Sequence, residues 1–274
     1  MERILTPLPC AIAVVAKASA PGRTKTRLVP PLVPDEAALM NTAFLRDIIA
    51  NIQAASRLAP MTGYVAYGPP GSGQFFADIV PRQVECFESW LPNFGACLRY
   101  ALDYLLARGH GAAAVLNSDS PTLPPAILAE MATVLAQPGD RAVLGPSSDG
   151  GYYVLGLKAA HARLFEEIDW STERVAEQTL ARAREIDLPV HILPTWYDVD
   201  DAASLRILWG ELFQGVPFGE GEIERGEAHH SRSLLQKLFA DSAIDQRLGV
   251  PGIAQEPLRT LPRPIFPSSH SSTS

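Results

Sequence analysis

Four short stretches of the 274-residue chain carry side chains whose types and spacing can do chemistry. The first runs from Lys17 to Arg27 and holds Lys17, Arg23, Lys25 and Arg27, with no acidic residue between Glu2 and Asp35. In a chain whose 23 basic and 30 acidic residues leave a net charge of −7, this is a local reversal of sign. Basic side chains around a Pro21-Gly22 turn, with backbone N–H groups facing inward, are the chemistry of phosphate binding. A solvated basic loop is the plainer alternative. The spacing is not that of a P-loop, because G-x-x-x-x-G-K-[ST] is absent.

The second stretch is Asn117-Ser-Asp-Ser-Pro121, directly after an apolar run. Asp119 there suits Mg²⁺ or Mn²⁺ shared with substrate phosphates, or equally the cap of the helix that follows. The third, Gly145–Tyr153, contains Asp149-Gly150-Gly151, which allows tight backbone and close ligand approach. Taken alone, its Asp-Gly pair favours a plain hairpin turn. The fourth, Trp196–Asp201, puts Asp198, Asp200 and Asp201 within four positions. They repel unless a cation or basic loop sits opposite. Asp198 and Asp200, two apart, share one strand face and can complete a metal site with Asp119. Asp201 reads as a helix cap. Trp170-Ser171-Thr172 reads as a helix start whose aromatic anchor lines an acceptor pocket. The six histidines show no ligand spacing, and no Ser-His-Asp arrangement can be argued.

The elements that must position these residues alternate between short apolar runs and amphipathic stretches. Strands are expected at Ala11–Ala18, Thr62–Tyr67, Gln83–Phe87, Ala112–Asn117, Ala142–Leu144 and Tyr152–Leu157, and Val190–Leu193 leads into another that ends at the Trp196–Asp201 stretch. Helices are expected at Asp35–Ser56, Phe94–Arg108, Pro124–Ala136, Ser171–Ile186 (with Ser171 as cap) and Asp200–Phe213. Near-continuous apolar strands separated by helices indicate an α/β fold, Rossmann-like and three-layered, with a mostly parallel sheet. Ligands of such sheets bind at the carboxyl ends of the strands. All four stretches are expected to converge there.

Composition narrows the function classes. Net negative charge argues against nucleic acid as a partner. The longest N-terminal apolar run stops at Lys17, too short to span a bilayer, and no signal-peptide pattern is evident. Three cysteines without ligand spacing favour a reducing compartment, so the reading is cytoplasmic. From about Gly215 the character changes. The expected division is a nucleotide-binding domain over 1–215 and a C-terminal extension over 216–274, partly helical and partly disordered. One helix at Ser233–Ile244 is expected to pack on the domain or on a partner, and Leu234–Phe239 leaves a homodimer open.

In combination and order, Lys17–Leu28, Asp119–Leu123, Gly145–Tyr153, Trp170–Thr172 and Asp198–Leu205 resemble the motifs of a bacterial family of GT-A-like transferases. These are named as radical-SAM/selenodomain-associated or arsenosugar-type glycosyltransferases. A more distant resemblance is to phospholactate guanylyltransferases and molybdenum-cofactor nucleotidyltransferases. The resemblance covers roughly the first 210 residues. It implies a GT-A-type fold, a nucleotide at the end of the first strand, and a divalent metal at Asp119 and Asp200. The chain departs from the pattern at Asn117 (usually Gly), at Cys97 (often basic) and in the closing D-V-D-D-A-A-S-L.

The expected activity is a metal-dependent transferase with a nucleotide donor and a small-molecule acceptor. The four cations of the first loop favour nucleotidyl transfer from a nucleoside triphosphate to a small phosphorylated acceptor. A nucleotide-sugar glycosyltransferase is the alternative, and a non-catalytic nucleotide-binding module the third reading. In the lead reading Lys17, Asp119 and Asp200 are catalytic. Arg23, Lys25 and Arg27 hold phosphates, and Asp119, Asp200 and Asp198 hold Mg²⁺ or Mn²⁺. Asp149, Gly150, Gly151, Tyr152, Trp170 and Ser171 bind substrate.

Overall fold

The computed structural model describes residues 9–219 and 223–251. The stretch beyond 251, expected to be a disordered tail, lies outside the described residues.

Seven strands form one sheet: β1 Cys10–Lys17, β2 Met61–Gly68, β3 Glu85–Glu88, β4 Ala112–Leu116, β5 Ala142–Pro146, β6 Tyr152–Leu157 and β7 Val190–Ile192. Their order is β3-β2-β1-β4-β6-β5-β7. Neighbours are parallel except β6, which runs antiparallel to both β4 and β5. The expected mostly parallel α/β sheet is therefore present. Its reversal comes from the Asp149-Gly150 turn, which folds β6 back beside β5 and inserts it next to β4.

Helices cover both faces. They are α1 Pro34–Ala55, α2 Gly73–Ile79, α3 Phe94–Ala107, α4 Pro125–Ala136, α5 Val175–Glu185, α6 Ala202–Trp209, α7 His229–Asp241 and α8 Ile244–Leu248. Strand β1 shows why: Ile12 and Val14 enter the core under α1 and α4, while Ala11 and Ala13 enter the one under α3. A strand buried on both faces must be apolar throughout. Full burial of each large aliphatic side chain stabilises by about 1.5–3 kcal/mol.

Local signals set several helix ends. Pro34 and Pro125 open α1 and α4 at the position where the missing N–H costs nothing. The Asn93 side chain caps α3 by accepting from the Ala96 N–H at 2.7 Å. Asp201 caps α6, accepting from the Ala203 and Ser204 N–H groups at 3.0 and 2.9 Å, as expected.

Three expectations are corrected. Ser171 does not cap α5: it lies in the left-handed region at φ 66°, and the helix starts at Val175. The closing helix starts at Ala202 and gives way at Gly210–Gln214 to a wider π turn. The single helix expected at Ser233–Ile244 is two, broken at Ser242-Ala243, with Ala243 at φ 49°.

The described part of the C-terminal extension packs on α1. Leu235, Leu238, Ile244 and Leu248 join the core on that face, so the apolar residues of this region pack against the domain itself. Asp47 of α1, 1% exposed, accepts from the His230 N–H, the Ser231 N–H and the Ser231 hydroxyl, capping α7 across the interface. Arg247 of α8 donates to both Glu36 carboxylate oxygens at 2.8 and 2.9 Å and to the Pro31 carbonyl. Among the described residues no helix is long and apolar enough to cross a membrane.

Candidate active site

At the carboxyl ends of β1 and β4 lies a cavity of about 530 Å³. The loop after β1 forms one wall and is tightly held. The Asn41 side chain of α1 donates to the Lys17 carbonyl and to Ser19 Oγ at 3.1 and 2.9 Å. Buried Thr24 donates its N–H and its hydroxyl to the Ala20 carbonyl, both at 3.2 Å. A short turn at Thr26–Leu28 sinks Leu28 into the core.

This folding divides the four cations. Lys17, Arg23 and Arg27 stay exposed, with Lys17 Nζ donating to the Arg23 carbonyl at 3.0 Å. Lys25, at φ 50°, turns inward, and its side chain is only 6% exposed. Its ammonium donates to the Asp119 carboxylate and, at 2.5 Å, to Asp200 Oδ1. Burial alone would lower the Lys25 pKa, but the two carboxylates outweigh it and hold the ammonium charged above its usual range. Arg27 reaches Asp201 at 3.5 Å across an exposed surface.

The acids come from two loops that meet. Asp119 follows β4, and its carbonyl accepts from the Val199 N–H at 2.8 Å. That bond fixes the Tyr197–Asp201 segment beside it and carries Asp198 and Asp200 to the cavity end of the sheet. This segment is not a continuation of β7. It is irregular, pinned by the Trp196 N–H on the Pro146 carbonyl. Asp198 turns to the Ser147 hydroxyl, which donates to it at 2.7 Å. Burial, then the charge of Asp119, pushes the Asp198 carboxyl up to about 7, with the Ser147 bond opposing.

Asp119 and Asp200 are hard oxygen donors and fit Mg²⁺ or Mn²⁺, which use one or two carboxylates and fill the rest of their shell with water and phosphates. A preformed cage is absent: among the described residues no three His, Cys, Asp or Glu side chains are grouped to hold a metal. The expected third ligand, Asp198, is engaged by Ser147, and the shared charge of the other two is met by Lys25.

The substrate-side residues divide as well. Tyr152 lines the cavity, together with Asn117, Trp90 and Phe94. Asp149, Gly150 and Gly151 build the β5–β6 turn: Asp149 Oδ1 accepts from the Gly151 N–H at 2.9 Å, and Gly150, at φ 90°, lies against the Glu173 backbone. Trp170 stacks over Gly95 and meets the Phe94 ring edge-on at 5.6 Å. Neither Trp170 nor Ser171 is among the residues lining the cavity, contrary to the acceptor-pocket expectation for Trp170. Sequence reasoning missed two supporting residues, Asn41 and Ser147. Ser147 lies inside the Gly145–Tyr153 motif and was available to it. Asn41 carries no signal, being one polar residue inside a long helix.

Residues 51–172 match the model of a bacterial family described as "Uncharacterized protein conserved in bacteria" (DUF2064). This span includes Asp119 and the β5–β6 turn but neither the basic loop nor Asp198 and Asp200. No curated protein matches the chain. A crystal structure from Desulfovibrio desulfuricans G20, described as a proposed nucleotide-diphospho-sugar transferase, superimposes with a TM-score of 0.72 at 23% identity. The match covers 87% of this chain and 97% of that one. CMP:2-keto-3-deoxy-manno-octonic acid synthetase in complex with CTP matches with a TM-score of 0.50 at 10% identity, over 76% of this chain and 100% of that one. The chain therefore has the Rossmann-like α/β fold of these structures.

Proposed function

We propose that the protein is a metal-dependent transferase that uses a nucleotide donor. The single observation carrying this reading is the Lys17–Arg27 loop, which closes over Asp119 and Asp200 at the strand ends and leaves Lys17, Arg23 and Arg27 exposed at the mouth. The fold shared with a described sugar-nucleotide transferase and a CTP-bound synthetase supports it.

Nucleotidyl transfer is our leading form. Three exposed cations suit the charge of a triphosphate better than that of a diphosphate sugar. Arg23 and Arg27 hold the outer phosphates, and Lys17 neutralises the leaving group. Asp119 and Asp200 would hold Mg²⁺ or Mn²⁺, with Asp198 beside them, and the bound cation supplies charge neutralisation at the α-phosphate. An acceptor phosphate oxygen bonds to the α-phosphorus as the α–β bridging P–O bond breaks, and pyrophosphate leaves with the electron pair. Catalysis of this kind is positioning and electrostatics, without a covalent intermediate.

The alternative, glycosyl transfer from a nucleotide sugar, is favoured by the motif resemblance to the selenodomain-associated and arsenosugar-type enzymes. We place the protein in the cytoplasm, in keeping with its free cysteines Cys10, Cys86 and Cys97.

A thermal-shift panel with Mg²⁺ or Mn²⁺ tests the reading, since a ligand of the native state raises its stability by mass action. A shift with one nucleoside triphosphate and none with nucleotide sugars supports nucleotidyl transfer. A shift with a nucleotide sugar alone replaces it with glycosyl transfer. Binding without turnover under any metal removes the enzyme reading.

A further inference from the structure

Lys25 is out of place for a side chain that simply awaits phosphate. The other cations of its loop are exposed, whereas Lys25 is buried and directed at two carboxylates. Its backbone takes a left-handed conformation at φ 50°, which is unfavourable for a non-glycine residue. That conformation turns the side chain inward while the residues on either side, Thr24 and Thr26–Leu28, fix the loop. The ammonium also lies 5.7 Å from the Phe44 ring centre, a further cation-binding surface.

Asp119 and Asp200 need a cation between them, because two adjacent carboxylates disfavour each other's charge. Here a lysine of the chain itself stands between them. An ammonium is a compact, strongly hydrated point charge on a flexible four-carbon stem, so it can leave without unfolding the loop.

We propose that Lys25 is a resident competitor of the divalent cation. It holds Asp119 and Asp200 together until the phosphates of an incoming ligand draw its ammonium away. Cation and nucleotide are then taken up together, and the bare protein binds the cation weakly. The coupling is reciprocal: the factor by which triphosphate tightens cation binding is the factor by which the cation tightens triphosphate binding. The nucleotide part rests on the transferase reading. The competition for the two aspartates does not.

The test is Mn²⁺ binding to the full chain, followed by electron paramagnetic resonance without nucleotide. The wild type is expected to bind weakly and Lys25→Met at least about tenfold tighter, a change of roughly 1.4 kcal/mol. Adding Asp119→Asn to Lys25→Met is expected to abolish the gain. Inorganic triphosphate is expected to tighten Mn²⁺ binding more in the wild type than in Lys25→Met. Equal affinity of wild type and Lys25→Met overturns the proposal.

Should Lys25→Met fail to fold, reductive methylation of the wild type decides. Saturating Mn²⁺ is expected to speed modification of Lys25 and to leave Lys158 and Lys237 unchanged. Mn²⁺ bound with Lys25 still protected overturns the proposal. None of these readouts needs turnover, so a protein that exchanges Lys25 for Mn²⁺ yet transfers nothing loses only its proposed function.

Discussion

Lys25 and Asp119 lie 94 residues apart in the chain and are direct partners in the fold. They meet because β1 and β4 are parallel neighbours, with Val14 opposite Leu116, so the loops that follow both strands leave the sheet side by side. Asp200 joins them from a third segment, pinned by the bond between Val199 and Asp119.

Asp119→Ala removes one of the two carboxylates that Lys25 bridges and leaves the other pair intact. Turnover with the nucleotide found by the binding panel is expected to fall by at least about 100-fold, the scale for loss of a main electrostatic group. The melting temperature is expected to move by no more than about 4 °C, the shift of roughly 1 kcal/mol in a chain of this size. An active Asp119→Ala enzyme removes this aspartate from the machinery.

Arg23→Ala and Arg27→Ala act on exposed cations without structural partners in the core. Each is expected to raise the nucleotide KM by roughly tenfold and to change kcat little, because a charge-assisted hydrogen bond contributes about 1.5–3 kcal/mol. The remaining affinity should depend less on salt. A fall in kcat at constant KM contradicts the phosphate-holding role.

The ion pair of Glu36 with Arg247 predicts an acid-sensitive element. Burial raises the Glu36 pKa, but the Arg247 and Val33 hydrogen bonds more than offset this and hold it below the usual glutamate range. A carboxyl depressed in the folded state stabilises fully above its unfolded pKa, and the stabilisation is lost as pH falls through the folded value. Unfolding midpoints measured from pH 6 to pH 3 should therefore fall less steeply in Glu36→Gln than in the wild type. Parallel curves refute the assignment.

Asp47→Ala deletes the cap that α1 provides for α7 and strands the buried Ser231 hydroxyl. Loss of a helix cap costs about 1–2 kcal/mol. Asp47→Asn, which keeps an acceptor, should cost less. Denaturant midpoints of the two variants check the order.

Most of this architecture was legible because the determining signals are local. Apolar runs located the first six strands within two residues, and Asp201 announced its own cap, whereas the seventh strand ends at Ile192, well short of the aspartates it was expected to carry. Helix α2 was missed, being seven residues long and starting at a glycine, where no periodicity can develop. The break at Ser242-Ala243 was missed because an alanine in the left-handed region leaves no compositional mark. At the site, residue types disclosed the basic loop and the aspartates. They could not disclose that Lys25 alone turns inward, since this depends on Leu28 sinking into the core and on Asn41 of α1 holding the start of the loop.

Helix α1 links more than it covers. Within about three turns it presents Asn41 to the strand end beneath the basic loop, Phe44 to the Lys25 ammonium, Asp47 to the extension and Asn51 to the Pro121 carbonyl beyond Asp119. One rigid rod thus serves both loops of the cavity and the C-terminal helices. The walls of the cavity and the C-terminal helices therefore share one support, so the sequence of α1 answers to both at once.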